Sequence, residues 1–221
     1  MNRTYLMALF FLATFLQAGP YGLTFVLPPL FAGFGGSEAD VGNTLALTAI
    51  STLFIVMFSG HVTARLGRMP TIASSGGIIA LSLFLFGTAS EVGFQIYLAG
   101  SLLGLGWGLF YTLTPVALGQ IIAPGERVRF FTLLSVFIMA GFGLAPVMGA
   151  AVERLGFGLH TAFIITGGLC LLSGVIFAAI ARPFRQHIIA PAPAGQSDEL
   201  SFRLAARVMR TRAAVPIWMV G

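Results

Sequence analysis

The sequence predicts an all-α integral membrane protein with six transmembrane helices, and three observations lead to this prediction. First, 57% of the 221 residues are hydrophobic and only 9% are charged, against roughly a quarter in a soluble domain. Second, six apolar runs each reach the length of about 20 residues that a membrane-spanning helix needs. Third, the basic residues gather in alternate loops between these runs. This composition excludes a soluble cytosolic enzyme, a disordered chain and a nucleic-acid-binding domain, although the isoelectric point is near 10.4.

The predicted spans cover approximately residues 5–31, 41–63, 71–89, 94–118, 129–152 and 161–181. Each must be helical, because an open strand edge leaves backbone groups without hydrogen-bond partners in hydrocarbon. A cleaved signal peptide is the weaker interpretation of the first run, which is longer than a typical signal core and contains Pro20. The single cysteine, Cys170, lies within the sixth run and excludes an internal disulfide.

The arginines predict how the spans are oriented. If the six spans alternate in direction, every arginine except Arg154 falls at one membrane face. Basic residues concentrate in the cytoplasmic loops of membrane proteins. Both ends of the chain are therefore expected in the cytoplasm, with the protein in the inner (plasma) membrane.

The chain is predicted to have three parts: a six-helix bundle over 1–181, a cytoplasmic linker over 182–212, and the start of a truncated seventh helix over 213–221. Prolines and small residues indicate extended backbone at the start of the linker. Apolar and arginine residues at helical spacing then predict an amphipathic basic helix on the membrane surface, with a solvated basic loop as the alternative. These residues are Leu200, Leu204, Val208, Arg203, Arg207 and Arg210.

The loop between the second and third spans carries a motif formed by Gly60, Arg65, Gly67 and Arg68. It resembles the signature loop of the major facilitator superfamily, Gly-x-x-x-Asp-Arg-x-Gly-Arg, except that Ala64 stands at the acidic position. The resemblance implies a cytoplasmic gate loop, in which the glycines permit a tight turn and the arginines reach helix ends and lipid headgroups. In the family the carboxylate helps to latch the two halves of the transporter, so this latch is in doubt here. An ordinary basic loop is the alternative.

The fifth span contains Gly141, Ala145, Pro146 and Gly149. This element is similar to the Gly-x-x-x-Gly-Pro-x-x-Gly-Gly element of exporters in the same family, with alanine at two of the glycine positions. Its small residues are expected to allow close helix packing, and the proline to bend the helix. The alternative is a generic packing groove with a proline kink.

The resemblance also implies that the first and fourth spans line a central cavity. Polar and aromatic residues at helical spacing on these spans are the substrate-binding candidates. They are Gln17, Tyr21 and Thr24 on the first span and Trp107, Tyr111 and Thr114 on the fourth. Aromatic rings with a few hydroxyl groups suit an amphipathic or uncharged organic solute. The alternative is that these side chains pack between helices and form local hydrogen bonds.

We expect no metal site and no cofactor, because the three histidines have no cysteine or acidic cluster nearby. An enzyme is also not expected. A six-span intramembrane serine protease needs a buried serine in a Gly-x-Ser-Gly turn, whereas Ser101 is followed by Leu102.

By resemblance, the function is expected to be secondary active transport of a small organic solute by alternating access, with export as the direction. In this mechanism two six-helix halves rock about a site at the bilayer midplane. The expected partners are the substrate, the lipid bilayer and a missing carboxy-terminal half, but not nucleic acid. No acidic residue or arginine lies well inside a predicted span, so this half offers no proton relay. The alternatives are an uncoupled facilitator for an uncharged solute, and a non-transporting six-helix membrane subunit that dimerises.

Overall fold

The computed structural model describes residues 2–189, and all regular secondary structure in that range is helical. The seven α-helices are α1 (Arg3–Gly22), α2 (Leu27–Gly33), α3 (Glu38–Leu66), α4 (Arg68–Thr88), α5 (Phe94–Ile121), α6 (Arg127–Arg154) and α7 (Leu159–Gln186). Short 3-10 helices, Leu23–Val26 and Pro124–Glu126, join α1 to α2 and lead into α6.

Six segments are long and apolar enough to cross a membrane. The first combines α1, the 3-10 helix and α2, and each of the other five centres on one helix from α3 to α7. The predicted six-helix membrane architecture is therefore confirmed.

The connection between α3 and α4 is shorter than the sequence suggested. Only Gly67 separates the two helices, and its φ of +85° is a conformation that glycine adopts without steric cost. Gly60 lies inside α3, so the expectation that it contributes to a tight turn is wrong.

At the carboxy-terminal end of the six-helix bundle, α7 continues through Pro183 to Gln186. The first five residues of the predicted extended linker, 182–186, are therefore helical. The amphipathic helix predicted before residue 212 and the seventh helix predicted over 213–221 lie outside the described residues.

The spans do not pack in chain order. The most extensive contacts are those of α4 with α7 and with α5, of α5 with α3, and of α1 with α6 and α7. The order of neighbours is therefore α3, α5, α4, α7, α1, α6. The two helices at the ends of this order, α3 and α6, are the least buried of the six spans.

Glycines allow several of these helix pairs to approach closely. A Cβ at Gly104 of α5 would overlap the carbonyl oxygen of Thr48 on α3. Between α4 and α7, a Cβ at Gly76 would lie only 3.0 Å from the Cα of Gly174. Larger side chains at these positions would force the helices apart.

Helix starts and ends from distant parts of the chain meet at one end of the bundle. Arg3 forms a 2.6 Å ion pair with Glu126, and the backbone N–H of Ile189 donates to the carbonyl oxygen of Gln120 at 2.9 Å. We call this end, which carries every arginine of residues 2–189 except Arg154, the arginine-rich end. Its arginines are Arg3, Arg65, Arg68, Arg127, Arg129, Arg182 and Arg185.

Candidate functional site

Four aromatic side chains from three helices pack together in the bundle, and two of them carry a hydroxyl group. Tyr21 of α1 stacks on Trp107 of α5 with a distance of 4.6 Å between ring centroids. Trp107 also stacks with Tyr111 at 5.5 Å, and Phe142 of α6 meets Tyr21 at 5.2 Å and Trp107 edge-on at 5.6 Å. We call Tyr21, Trp107, Tyr111 and Phe142 the aromatic cluster. All four residues lie near the middle of their spans and hence near the middle of the bilayer.

The members of the aromatic cluster differ in accessibility. Trp107 is 7% exposed, Tyr21 is half-buried, and Tyr111 is 52% exposed. Tyr111 is therefore more accessible than Trp107 and Tyr21, and Trp107 stacks on it from within the bundle. Tyrosine at such a position offers an apolar ring face together with a hydrogen-bonding hydroxyl group.

Close helix packing positions the cluster. A Cβ at Gly22 of α1 would overlap the carbonyl oxygen of Phe142 on α6, so the glycine lets these helices touch beside Tyr21. On α5, Gly104 contacts α3 and Gly106 contacts Ile79 of α4. These contacts occupy two other faces of α5. The face that carries Trp107 is then directed towards α1, with Tyr111 next to Trp107.

Gln17 does not join the aromatic cluster, although it lies one helical turn before Tyr21 on α1. Its side chain is fully buried between α1, α4 and α7. The amide Nε2 donates to Ser75 Oγ at 2.7 Å, and Ser173 Oγ lies 2.9 Å from Oε1, a distance at which its hydroxyl donates. A buried amide needs such partners, because leaving its polar atoms unpaired is costly. We call Gln17, Ser75 and Ser173 the buried polar triad.

The two threonine candidates form local hydrogen bonds. Thr24 donates to the carbonyl oxygen of Tyr21 at 2.6 Å, and the fully buried Thr114 donates to that of Phe110 at 2.6 Å. The structure thus brings together Tyr21, Trp107 and Tyr111, but not the other three candidates. Sequence analysis missed Phe142, whose position beside Gly141 in a small-residue element was the available signal.

The residues of the predicted gate motif lie at the arginine-rich end. Gly67 forms the α3–α4 turn, Arg65 is exposed on the last turn of α3, and Arg68 begins α4. The guanidinium of Arg185 lies across this turn, with Nη2 3.4 Å from the position that a Cβ at Gly67 would take. Arg185 therefore lies beside the turn residue that precedes Arg68.

The small residues of α6 face α1 to different extents. A Cβ at Gly141 would overlap the carbonyl oxygen of Phe15, and the buried Ala145 lies against Gly22. Gly149 is in ordinary van der Waals contact, since a Cβ there would lie 3.6 Å from Val26. The helix continues through Pro146, and a bend at this proline stays a prediction.

Charged side chains avoid the middle of the bundle. Within residues 2–189, all aspartates, glutamates and arginines lie near helix ends or in turns. The same residues contain no group of three or more histidine, cysteine or acidic side chains placed to hold a metal ion. The site therefore offers aromatic surface and hydroxyl groups rather than charge.

Comparison with known proteins identifies a family. The family model described as "Major Facilitator Superfamily" matches residues 8–221. The "Probable vesicular acetylcholine transporter-B" of Danio rerio is 27% identical over 167 residues, which cover 73% of this chain and 33% of that protein. "Multidrug resistance protein 2" of Bacillus subtilis (strain 168) is 26% identical over 157 residues, covering 71% of this chain and 38% of that protein. The chain thus spans about a third of the length of these curated relatives.

A similar fold occurs among solved structures. The "POT family transporter PepTSo" aligns with a TM-score of 0.72 and 18% identity. The alignment covers 89% of this chain and 40% of that chain. At this level of identity the comparison shows a shared fold.

Proposed function

The chain belongs to the Major Facilitator Superfamily, and from this premise we propose that it supplies the amino-terminal half of a secondary active transporter for a small organic solute. Transporters of this kind are built from repeats and bind substrate near the bilayer midplane, between two halves that rock about the site. We further propose export as the direction. The similarity to a multidrug resistance protein and the small-residue element of α6 support export.

The observation that carries the proposal is the aromatic cluster with its accessible Tyr111. The cluster lies near the middle of three spans, where such a transporter needs its substrate site. Its stacked rings and phenol group suit an amphipathic or uncharged organic solute. Trp107 and Tyr21 would hold Tyr111 in place, and Phe142 would close the α6 side.

The exposed surfaces of α3 and α6 are an argument for packing against a second six-helix half. Both helices lie at the ends of the packing order and expose large apolar side chains. On α3 these include Ile50, Leu53, Phe54 and Met57, and on α6 Val136, Met139 and Val147. A second half packed on both helices would enclose the aromatic cluster from the open side.

We place the arginine-rich end in the cytoplasm of the inner membrane, because basic residues collect on that side. The α3–α4 turn with Gly67 and Arg68 would then form the cytoplasmic gate. Ala64 provides no carboxylate for the family latch, so the gate would depend on the arginines and the turn.

An uncoupled facilitator is the second candidate. It is favoured by the position of the charged groups, all of which lie near helix ends or in turns within residues 2–189. Coupling to protons normally requires an ionisable group inside the membrane. Such a group would have to come from the second half.

The test uses the protein at its full length, reconstituted in proteoliposomes and assayed with the fluorescent solutes ethidium, rhodamine 6G and Hoechst 33342. We expect Tyr111→Ala to lower transport by roughly tenfold, which corresponds to about 1.4 kcal/mol of lost aromatic contact. Tyr111→Phe retains the ring and should keep most of the activity. Tyr5→Ala is the matched control, because Tyr5 is exposed at the arginine-rich end, away from the cluster.

Each assay is run with and without a proton gradient. Transport that responds to the gradient supports a coupled transporter, and transport that ignores it supports the facilitator. Equal effects of Tyr111→Ala and Tyr5→Ala would contradict the proposed site. A stable dimer of the full-length protein that moves none of the solutes would instead favour a non-transporting subunit.

A further inference from the structure

Arginines from three helices surround the α3–α4 turn at the arginine-rich end. Arg68 begins α4, Arg65 lies on the last turn of α3, and Arg185 lies on the last turn of α7 with its guanidinium across Gly67. Arg182 is one turn earlier on α7. We call Arg65, Arg68, Arg182 and Arg185 the arginine patch.

The arginine patch has no anionic partner within residues 2–189. Glu126 is the one acidic residue of that range at this end, and it forms its ion pair with Arg3. No side-chain hydrogen bond or ion pair among these residues involves an arginine of the patch. Among the residues that the structure describes, the patch is therefore a concentration of positive charge with no acidic side chain paired to it.

The fold holds these like charges together at an energetic cost. The close contact of Gly76 with Gly174 fixes α4 against α7, so the ends that carry Arg68 and Arg185 cannot move apart freely. Arg68 also stands at the amino-terminal end of α4, where the helix dipole disfavours a cation. Arg65 and Arg185 stand at carboxy-terminal helix ends, which favour a cation. An anion bound beside the patch would therefore chiefly relieve the repulsion among its arginines and the unfavourable position of Arg68.

The position of the patch indicates what kind of anion it meets. It lies where a membrane helix leaves the hydrocarbon, and the surface of α7 below it exposes Leu171, Leu172 and Val175. The helices α4 and α7 contribute no ring to the aromatic cluster, so the patch is separate from the proposed solute site. A ligand that combines an anionic head with apolar tails matches this arrangement.

We propose that the arginine patch binds the headgroup phosphate of an anionic phospholipid, with the acyl chains lying along α4 and α7. Guanidinium groups bind phosphate oxygens through paired, charge-assisted hydrogen bonds. Basic pockets between transmembrane helices bind anionic headgroups by this chemistry. Arg68 and Arg185 form the core of the site, and Arg65 and Arg182 add to its positive potential. This inference is independent of the proposed transport activity.

The test is native mass spectrometry of the full-length protein in detergent, with equimolar phosphatidylglycerol and phosphatidylcholine of identical acyl chains. We expect the wild-type protein to retain phosphatidylglycerol preferentially. Each arginine near the headgroup should contribute about fivefold to this preference. Arg68→Gln with Arg185→Gln should therefore lower it by roughly 25-fold, whereas lysine at both positions, which keeps the charge but not the paired hydrogen bonds, should keep only part of it.

Arg154→Gln is the matched control, since it removes one arginine from the opposite end of the bundle. The preference should survive in this variant. If the glutamine pair fails to fold, each single glutamine variant carries the same prediction at about fivefold. Equal retention of both lipids by the wild type, or an unchanged preference in the glutamine variants, would overturn the proposal. Displacement of the lipid by an equal concentration of inorganic phosphate would also overturn it, because the site would then bind free anions.

Discussion

At the scale of single residues, the buried polar triad shows how one side chain fixes three helices. Gln17 of α1 contacts Ser75 of α4 and Ser173 of α7, and all three side chains are fully buried. Each serine hydroxyl has an acceptor other than Gln17, because Ser75 Oγ donates to the carbonyl oxygen of Ile72 and Ser173 Oγ lies 2.8 Å from that of Ala13. Loss of the glutamine therefore removes hydrogen bonds between helices without leaving the hydroxyl groups unpaired. The cost should be moderate.

Gln17→Leu should lower the free energy of unfolding by about 1–2 kcal/mol, in the upper range for hydrogen bonds between membrane helices. Unfolding in mixed detergent micelles, monitored by helical circular dichroism, measures this change. Gln186→Leu is the matched control, because this exposed residue ends α7 and its replacement should have little effect. If both leucine variants were as stable as the wild type, the buried polar triad would contribute nothing measurable to stability, contrary to this prediction.

Tyr21, Trp107 and Tyr111 could be selected from the sequence, because aromatic residues at helical spacing share a face. Gln17 is four residues from Tyr21, so helical spacing alone groups the two residues. The sequence does not reveal that the partners of Gln17 lie on α4 and α7. Phe142 was missed because its contact with Tyr21 depends on how closely α6 approaches α1. Contacts between helices are determined by packing, which spacing along one helix does not report.

At the scale of helices, threonines and glycines join α3 to α5. Thr48 donates to its own helix at Thr44 O and lies within 2.9 Å of Gly100 O on α5. Thr52 repeats this arrangement with Gly104 O at 3.1 Å. Hydroxyl groups can reach the neighbouring backbone only because the glycines of α5 have no side chains. The helices α3 and α5 are therefore held together by hydrogen bonds to the main chain as well as by apolar contacts.

Gly104→Ala should push α3 away from α5, because the added Cβ would overlap Thr48 O. We expect a loss of about 1–3 kcal/mol in the free energy of unfolding, as for other overpacked sites. The control is Gly119→Ala on the same helix, where a Cβ would meet Phe131 at 3.6 Å, an ordinary contact. Comparable thermal stability of the two variants would show that the close contact is unimportant.

The sequence predicted the number and approximate extent of the spans, because runs of apolar residues determine both. It placed the helix ends too early at α3 and α7. Arginines and Pro183 were interpreted as loop signals, yet α3 includes Arg65 and α7 includes Arg185. Long basic side chains at a membrane surface extend towards water while their backbone stays helical.

At the scale of the whole molecule, the two ends of the bundle differ in charge, because one of them is the arginine-rich end. Contacts between helix ends, such as Arg3 with Glu126, show that these arginines share one face. The opposite end carries one arginine, Arg154, and the acidic residues of residues 2–189 other than Glu126. The proposed cytoplasmic orientation follows from this difference in charge.

Single cysteines introduced at exposed glycines test this orientation. Gly125→Cys lies at the arginine-rich end and Gly158→Cys at the other end, and both positions are exposed. A membrane-impermeant maleimide should label Gly158→Cys in intact cells, but Gly125→Cys only after permeabilisation. The wild-type protein is the control, because its Cys170 is buried. The reverse pattern of labelling would place the arginines outside.

The order in which the helices pack has a consequence for biosynthesis. The partners of α1 are α6 and α7, so Gln17 must meet Ser173, which is 156 positions later in the chain. At about 5–20 residues per second, the ribosome adds that stretch in roughly 8–30 s. During this interval the glutamine amide lacks one of its two serine partners, and until α6 has been made α1 lacks both of its main neighbours. The packing of the first span can therefore be completed only after the last span has been made.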